Sequence, residues 1–212
     1  MDTGIIWIRN ALRLNDNRVL VESLNSTNSQ NIIPLYILNE SDLKEKNNNN
    51  RIKFLYESLI DLDSRFKAKF GINLVILNGS SEKIFDKLLS SELLNISEIF
   101  TDYSNKPDDV KNENNLKRIL AKNTSVKLHL ISKVNSLTNI EEVVNQENFK
   151  PPKTMKDMEK LFSNIYPKDE DGFYSIDEPI DIPENTKPVS ENYPEIIKDY
   201  IFDVKKELSL LE

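Results

Sequence analysis

The side chains best spaced for binding chemistry in this sequence are Arg9, Asn10, Asp102 and Tyr103. Arg9 and Asn10 follow the apolar run Gly4–Ile8, and Asp102 and Tyr103 follow Ile96–Thr101. Short runs of this kind read as buried strands. Polar groups at their carboxyl ends fall where open α/β sheets hold ligands, at the point where strand order reverses. Asn39, behind the run Ile32–Leu38, and Arg51, at the head of a helical pattern, stand near the exit of the second strand. These six are the candidate cofactor-binding residues. A plainer reading, and the preferred one, is that Arg9 and Asp102 pair across the sheet end and hold loops.

Little else in the chain points to catalysis or to a metal. There is no cysteine, which removes disulfides, thiolate metal sites and a cysteine nucleophile. His129 is the single histidine, so a multi-histidine metal site is excluded and a catalytic triad has one base at most. It falls inside an apolar strand pattern with no Ser, Asp or Glu tied to it by a motif, which makes it a structural histidine. Four glycines and no Gly-x-Gly-x-x-Gly or Walker string leave phosphate without its usual backbone cradle. Asn78-Gly79-Ser80-Ser81 reads as a turn and helix cap rather than an anion site. Asp108 and Asp109 complement a helix dipole. The run Lys205-Lys-Glu207 is a solvated helix face, and Asn47–Asn50 is a solvated loop. No catalytic and no metal-binding residue is assigned.

The elements that must position these groups alternate regularly. Strands are expected at Gly4–Ile8, Ile32–Leu38, Leu74–Leu77, Ile96–Thr101 and Val126–Ile131. Between them run four helical patterns. The first is capped by Asp16 and carries Val19, Leu20 and Leu24; the second spans Arg51–Phe70 and ends at Gly71. The third opens at Ser80 or Ser81, and the fourth runs from Pro107 to about Lys122. Strands apolar on both faces and separated by helices require a parallel sheet covered on both sides. The fold class is therefore α/β, a doubly wound five-stranded parallel sheet of Rossmann-like type with an extended C-terminal linker and a terminal helix.

Four regions follow: an α/β domain over 1–132, a connecting segment with a short helix over 133–165, an acidic extended linker over 166–193, and an amphipathic helix over 194–212. Within the connecting segment, Ser136–Asn145 forms a helical turn or two, Pro151-Pro152 is a break, and Met155, Met158, Leu161 and Phe162 mark the helix. Ile197, Ile201, Val204 and Leu208 share one stripe of the terminal helix, which needs a surface to dock on. A net charge of −7 over 212 residues argues against phosphate-backbone binding, which wants a basic face, and no direct nucleic-acid binding is expected. No apolar run reaches membrane-spanning length and no signal pattern opens the chain, so an intracellular protein of cytoplasm or nucleus is expected.

Several of these segments, in order, resemble the DNA photolyase/cryptochrome family. Arg9–Asn17 stands where that family has Arg-x-Asp-Leu-Arg-Leu-x-Asp-Asn. Residues 51–63, Arg-Ile-Lys-Phe-Leu-Tyr-Glu-Ser-Leu-Ile-Asp-Leu-Asp, are similar to its second helix, most of all in the animal cryptochrome and (6-4) photolyase branch. Val75–Gly79 resembles the third strand and its turn, and Lys150–Thr154 the Pro-Pro-Leu-Thr-Tyr segment behind the α/β domain. Two family positions in the first turn are changed, to Asn10 and Ala11. The animal-branch stretch after the fourth strand is degraded to Asn105–Asn112, which weakens the case for interdomain docking and partner binding there.

The resemblance implies an α/β antenna domain whose cofactor, where one is held, is a deazaflavin or folate. The flavin-binding helical half would begin about where these residues stop, so FAD is not expected on this chain alone. Trp7 is the single tryptophan and falls within a strand, so a self-contained electron relay is not expected either. The leading expectation is a non-catalytic scaffold or interaction module. One alternative is half of a split photolyase or cryptochrome whose flavin domain acts in trans. Another is a nucleotide binder of the universal-stress type, disfavoured by the missing phosphate loop.

Overall fold

The computed structural model describes residues 2–26, 28–39, 49–122, 125–136, 139–166, 168–173, 179–182 and 195–211. Asn47 and Asn48 of the asparagine run, and most of the acidic stretch 166–193, lie outside the described residues.

Five strands, β1 (Asp2–Ile8), β2 (Asn31–Leu38), β3 (Val75–Asn78), β4 (Asn95–Asp102) and β5 (Lys127–Ile131), form one sheet. All neighbouring pairs are parallel and the order is β3-β2-β1-β4-β5. Strand order therefore reverses between β1 and β4. Because side chains alternate along a strand, β1 feeds two cores. Ile6 and Ile8 pack with helices α1 (Arg18–Asn25) and α2 (Asn49–Phe70), through Leu20, Leu24, Leu59, Leu62 and Phe66. Ile5 and Trp7 pack on the other face with α3 (Ser81–Leu89) and α4 (Pro107–Leu120), through Ile84, Phe85, Leu88 and Leu116. Each fully buried Leu, Ile or Phe contributes roughly 1.5–3 kcal/mol, which is why both faces read as apolar in sequence.

Local signals account for most boundaries. Gly71 takes a φ of +75° beyond α2, and Pro107 opens α4. The cap of α1 is a correction: it is Asn17, whose side chain accepts from the Leu20 amide, while Asp16 adopts a φ of +50° in the preceding turn. From there Asp16 accepts a hydrogen bond from the Ile180 amide at 3.2 Å, tying a passing segment to the β1–α1 loop.

Behind β5 come α5 (Ile140–Val144) and α6 (Met155–Ile165). A complete capping box opens α6: Thr154 accepts from the Asp157 amide and Asp157 accepts from the Thr154 amide. The expected continuous terminal helix is not formed. Residues Glu195–Tyr200 make a 3-10 turn, the chain extends through Ile201–Phe202, and α7 (Val204–Ser209) starts afresh with Asp203 as its cap. The break is imposed by the sheet. Ile201 bridges Leu77 antiparallel, and the Phe202 amide donates to the Ile76 carbonyl at 2.9 Å. The expected stripe is split accordingly: Ile197 is buried in one core, Val204 in the other, and Ile201 faces solvent.

Candidate polar corner at the carboxyl end of the sheet

Where strand order reverses, β1 delivers Arg9 and Asn10 and β4 delivers Asp102 and Tyr103. The Arg9 Nε lies 3.2 Å from Asp102 Oδ1, with both side chains almost fully buried at 6% and 3% exposure. Arg9 also donates to the Asp102 carbonyl, and its guanidinium lies 5.0 Å from the centre of the Trp7 ring. Asn10 Nδ2 donates to Asp102 Oδ2 at 2.8 Å and to Asp109 Oδ2 at 3.0 Å. Its Oδ1 accepts from Lys106 Nζ at 2.6 Å. Asn135, beyond β5, adds a longer contact to Asp102 Oδ2 at 3.4 Å.

The corner is thus a closed circuit. Both carboxylate oxygens of Asp102 and its carbonyl are occupied by protein donors. Asp109, in the first turn of α4, would be pushed up by burial. Hydrogen bonds from Ser104 and Asn10, with the charges of Arg9 and Lys106, instead hold its carboxyl below the ordinary value. A carboxylate stabilised in that way is a poor proton acceptor, so the corner is suited to holding loops rather than to general base chemistry.

Beside it opens a cleft of about 340 Å³, lined by Asn10, Asp102, Tyr103, Ser104, Lys106 and Lys133 among others. Tyr103 extends the β4–β5 ladder by one bond, its amide donating to the Ile131 carbonyl at 2.8 Å. Arg13 Nη2 reaches across to the Val134 carbonyl at 2.7 Å and ties the β1–α1 turn to the segment behind β5. Four of the six candidate residues, Arg9, Asn10, Asp102 and Tyr103, are brought together here. Asn39 and Arg51 are not among the residues lining the cleft; Asn39 follows β2 and Arg51 is exposed on the first turn of α2. The reason is register: β1 lies between β2 and β4, and its terminal polar groups turn toward β4.

Sequence reasoning missed a second polar cluster, on the α1 side of the sheet. Glu98, in β4, is 1% exposed. Its carboxylate accepts from Ser26 Oγ at 2.5 Å, Asn28 Nδ2 at 3.0 Å and Ser29 Oγ at 2.9 Å. His129 Nε2, on β5, lies 2.9 Å from Glu98 Oε1, and its ring stacks on Phe100 with centroids 4.5 Å apart. Burial pushes the Glu98 carboxyl up, but these four partners overcome it and hold it at about 2 against an ordinary 4.5. The signal was present: an acidic residue interrupting an apolar strand, with the lone histidine one strand away. Gly4 makes the room. A Cβ at that position would lie 2.8 Å from Ser29 Oγ.

Sheet order, two-sided helical cover and a polar crevice at the reversal point define a doubly wound α/β domain. The chain belongs to the DNA photolyase family, whose model matches residues 4–172. Cryptochrome-1 of Anopheles gambiae is 36% identical over 103 residues, 45% of this chain and 18% of that protein. Cryptochrome-1 of Aedes aegypti is 35% identical over 101 residues, with the same coverage. Both relatives are animal cryptochromes, in keeping with an animal-branch resemblance. Among solved structures, an archaeal photolyase from Sulfolobus tokodaii containing two FAD molecules has a TM-score of 0.70 at 19% identity. That similarity covers all of this chain and 42% of the other. A cryptochrome from Synechocystis gives 0.71 at 19% identity, over 96% and 42%. These two likenesses speak to the fold, and the chain spans under half the length of either protein. Among the described residues no helix is long and apolar enough to cross a membrane.

Proposed function

We propose that this chain works as a non-catalytic photolyase/cryptochrome-type α/β scaffold, an intracellular interaction module rather than a light-driven enzyme in its own right. The observation that carries this reading is the closed circuit of Arg9, Asn10, Asp102 and Asp109. Groups that would orient a bound chromophore are spent on one another, so a ligand would have to displace protein partners before making its own contacts. Trp7, buried and edge-to-face with Phe85 at 4.9 Å, serves as core rather than as a redox station. Titrating the purified protein with a deazaflavin, a folate and FAD tests the proposal. No binding below about 100 μM and no visible absorption band are expected, whereas micromolar binding with a visible band overturns it.

A second reading, one half of a split photolyase completed by a helical flavin domain in trans, draws on α6. None of its residues is buried, and Met155 and Met158 are exposed although the helix is amphipathic and fully capped. Helices of that kind are ordinarily completed by a partner surface. Light-dependent repair on mixing with such a domain would favour this reading over the scaffold.

A further inference from the structure

Building on the interaction-module reading, we propose that the outer edge of β5 is a docking strand for an acidic extended segment of another protein, added to the sheet as a sixth strand. The side chains of β1–β4 are mostly buried, whereas β5 has none that is: Lys127 is exposed, and Leu128, His129, Leu130 and Ile131 are half-buried. Among the described elements β4 is its one extensive neighbour, and no described strand pairs with its outer side.

The backbone of that edge is presented for pairing. The Tyr103 amide donates to the Ile131 carbonyl at 2.8 Å, so Ile131 turns its backbone groups toward β4. Alternation along the strand does the same for His129 and Lys127, and turns the N–H and C=O groups of Leu128 and Leu130 outward. An outer edge of this kind is a template for another strand, with main-chain hydrogen bonds supplying affinity and alternate side chains specificity. Leu128 packs against the α3–α4 core, while Ile131 and the His129 ring, stacked on Phe100, lie on the α1–α2 face. An added strand therefore meets apolar surface on both sides.

Charge selects the occupant. The chain is net −7, yet the stretch from Arg118 to Lys133 carries Arg118, Lys122, Lys127 and Lys133 and no Asp or Glu. Lys122 and Lys127 are exposed where β5 begins, and Lys133 follows where it ends. The carboxylate facing them from β4, Glu98, is buried among donors of its own. A second copy fits poorly. Parallel pairing would set Lys127 beside Lys127, antiparallel pairing would bring Lys127 to the Lys133 end, and like charges placed opposite each other destabilise a ladder. An extended segment with alternating apolar residues and carboxylates at both ends satisfies the edge, its apolar flanks and both basic ends together.

The probe is a synthetic peptide, acetyl-Glu-Asp-Val-Thr-Val-Thr-Val-Asp-Glu-amide, with a control in which Lys replaces each acidic residue. Hydrogen exchange on the full chain reads the edge. The outward Leu128 and Leu130 amides should slow about tenfold or more on saturation with the acidic peptide, while the His129 amide, facing β4, changes little. A Lys122→Glu, Lys127→Glu double variant, altered only at exposed positions, should bind the acidic peptide about tenfold more weakly and favour the basic one. Acidic peptide that binds without protecting Leu128 and Leu130, or equal protection by both peptides, would overturn the proposal. So would absence of binding at millimolar peptide, or protection of these amides by self-association of the protein alone, which would assign the edge to a second copy. None of these outcomes bears on chromophore binding, so the scaffold reading stands or falls by its own titration.

Discussion

Glu98 supplies the sharpest test of the physical picture. Its carboxylate is buried and accepts from four partners, and it is held at about 2 against an ordinary 4.5. At roughly 1.4 kcal/mol per pH unit, that displacement is worth about 3 kcal/mol of folding stability. The folded value is depressed, so the contribution is present in full above the unfolded value near 4.5 and is lost as pH falls from there toward 2. Truncation is more severe at neutral pH. Glu98→Ala leaves the buried Ser29 hydroxyl with Ser97 Oγ at 3.2 Å in place of a carboxylate and strips a charged partner from Ser26, Asn28 and His129, a loss of about 4 kcal/mol. For a chain of this length each kcal/mol moves the melting temperature by roughly 2–4 °C, so a drop of about 12 °C is expected. Glu98→Gln keeps the shape, loses the charge, and should flatten the acid limb of the stability curve. Urea denaturation followed by circular dichroism at pH 7 and pH 3 measures both effects. A Glu98→Ala variant within about 1 kcal/mol of the parent, or a Glu98→Gln variant with the parent's acid slope, would refute the reasoning.

Further substitutions separate the other contributions. Asp102→Ala leaves the Arg9 guanidinium buried without its carboxylate and should cost about 3 kcal/mol in chemical denaturation, with Arg9→Lys failing to match the native geometry. Gly4→Ala drives a methyl into Ser29 and should cost about 1–3 kcal/mol, read as a lower melting temperature. Asn17→Ala removes the cap of α1 and should cost about 1 kcal/mol by the same measurement. Thr154→Ala opens the capping box of α6, an exposed helix. Hydrogen exchange at residues 155–158 should quicken while the melting temperature of the sheet stays put.

Much of the architecture was legible because parallel strands buried on both faces leave continuous apolar runs, and each of the five was located to within two residues. Four candidate residues converge because they end adjacent strands at the reversal point. Asn39 and Arg51 were grouped with them on sequence order alone, which does not say toward which neighbour a strand end turns. Asp16 and Asn17 are both good caps by residue type; backbone conformation chose the second. Apolar spacing at Ile197, Ile201, Val204 and Leu208 suits one helix equally well, but it carries no mark of a sheet edge interrupting it.

By itself, the amino-acid order determined the two-sided sheet, its helical cover and the family, because hydrophobic periodicity and short motifs are local properties. Tertiary structure alone decided how polar groups are spent. It closed Arg9, Asn10, Asp102 and Asp109 into one circuit, and it buried Glu98 among donors from the loop after α1 and from β5. It also folded 195–211 around β3 rather than along a single helix. The physical reason is common to all three: hydrogen bonds and edge contacts join residues tens of positions apart. Their partners are set by which strands become neighbours, and no local pattern records that.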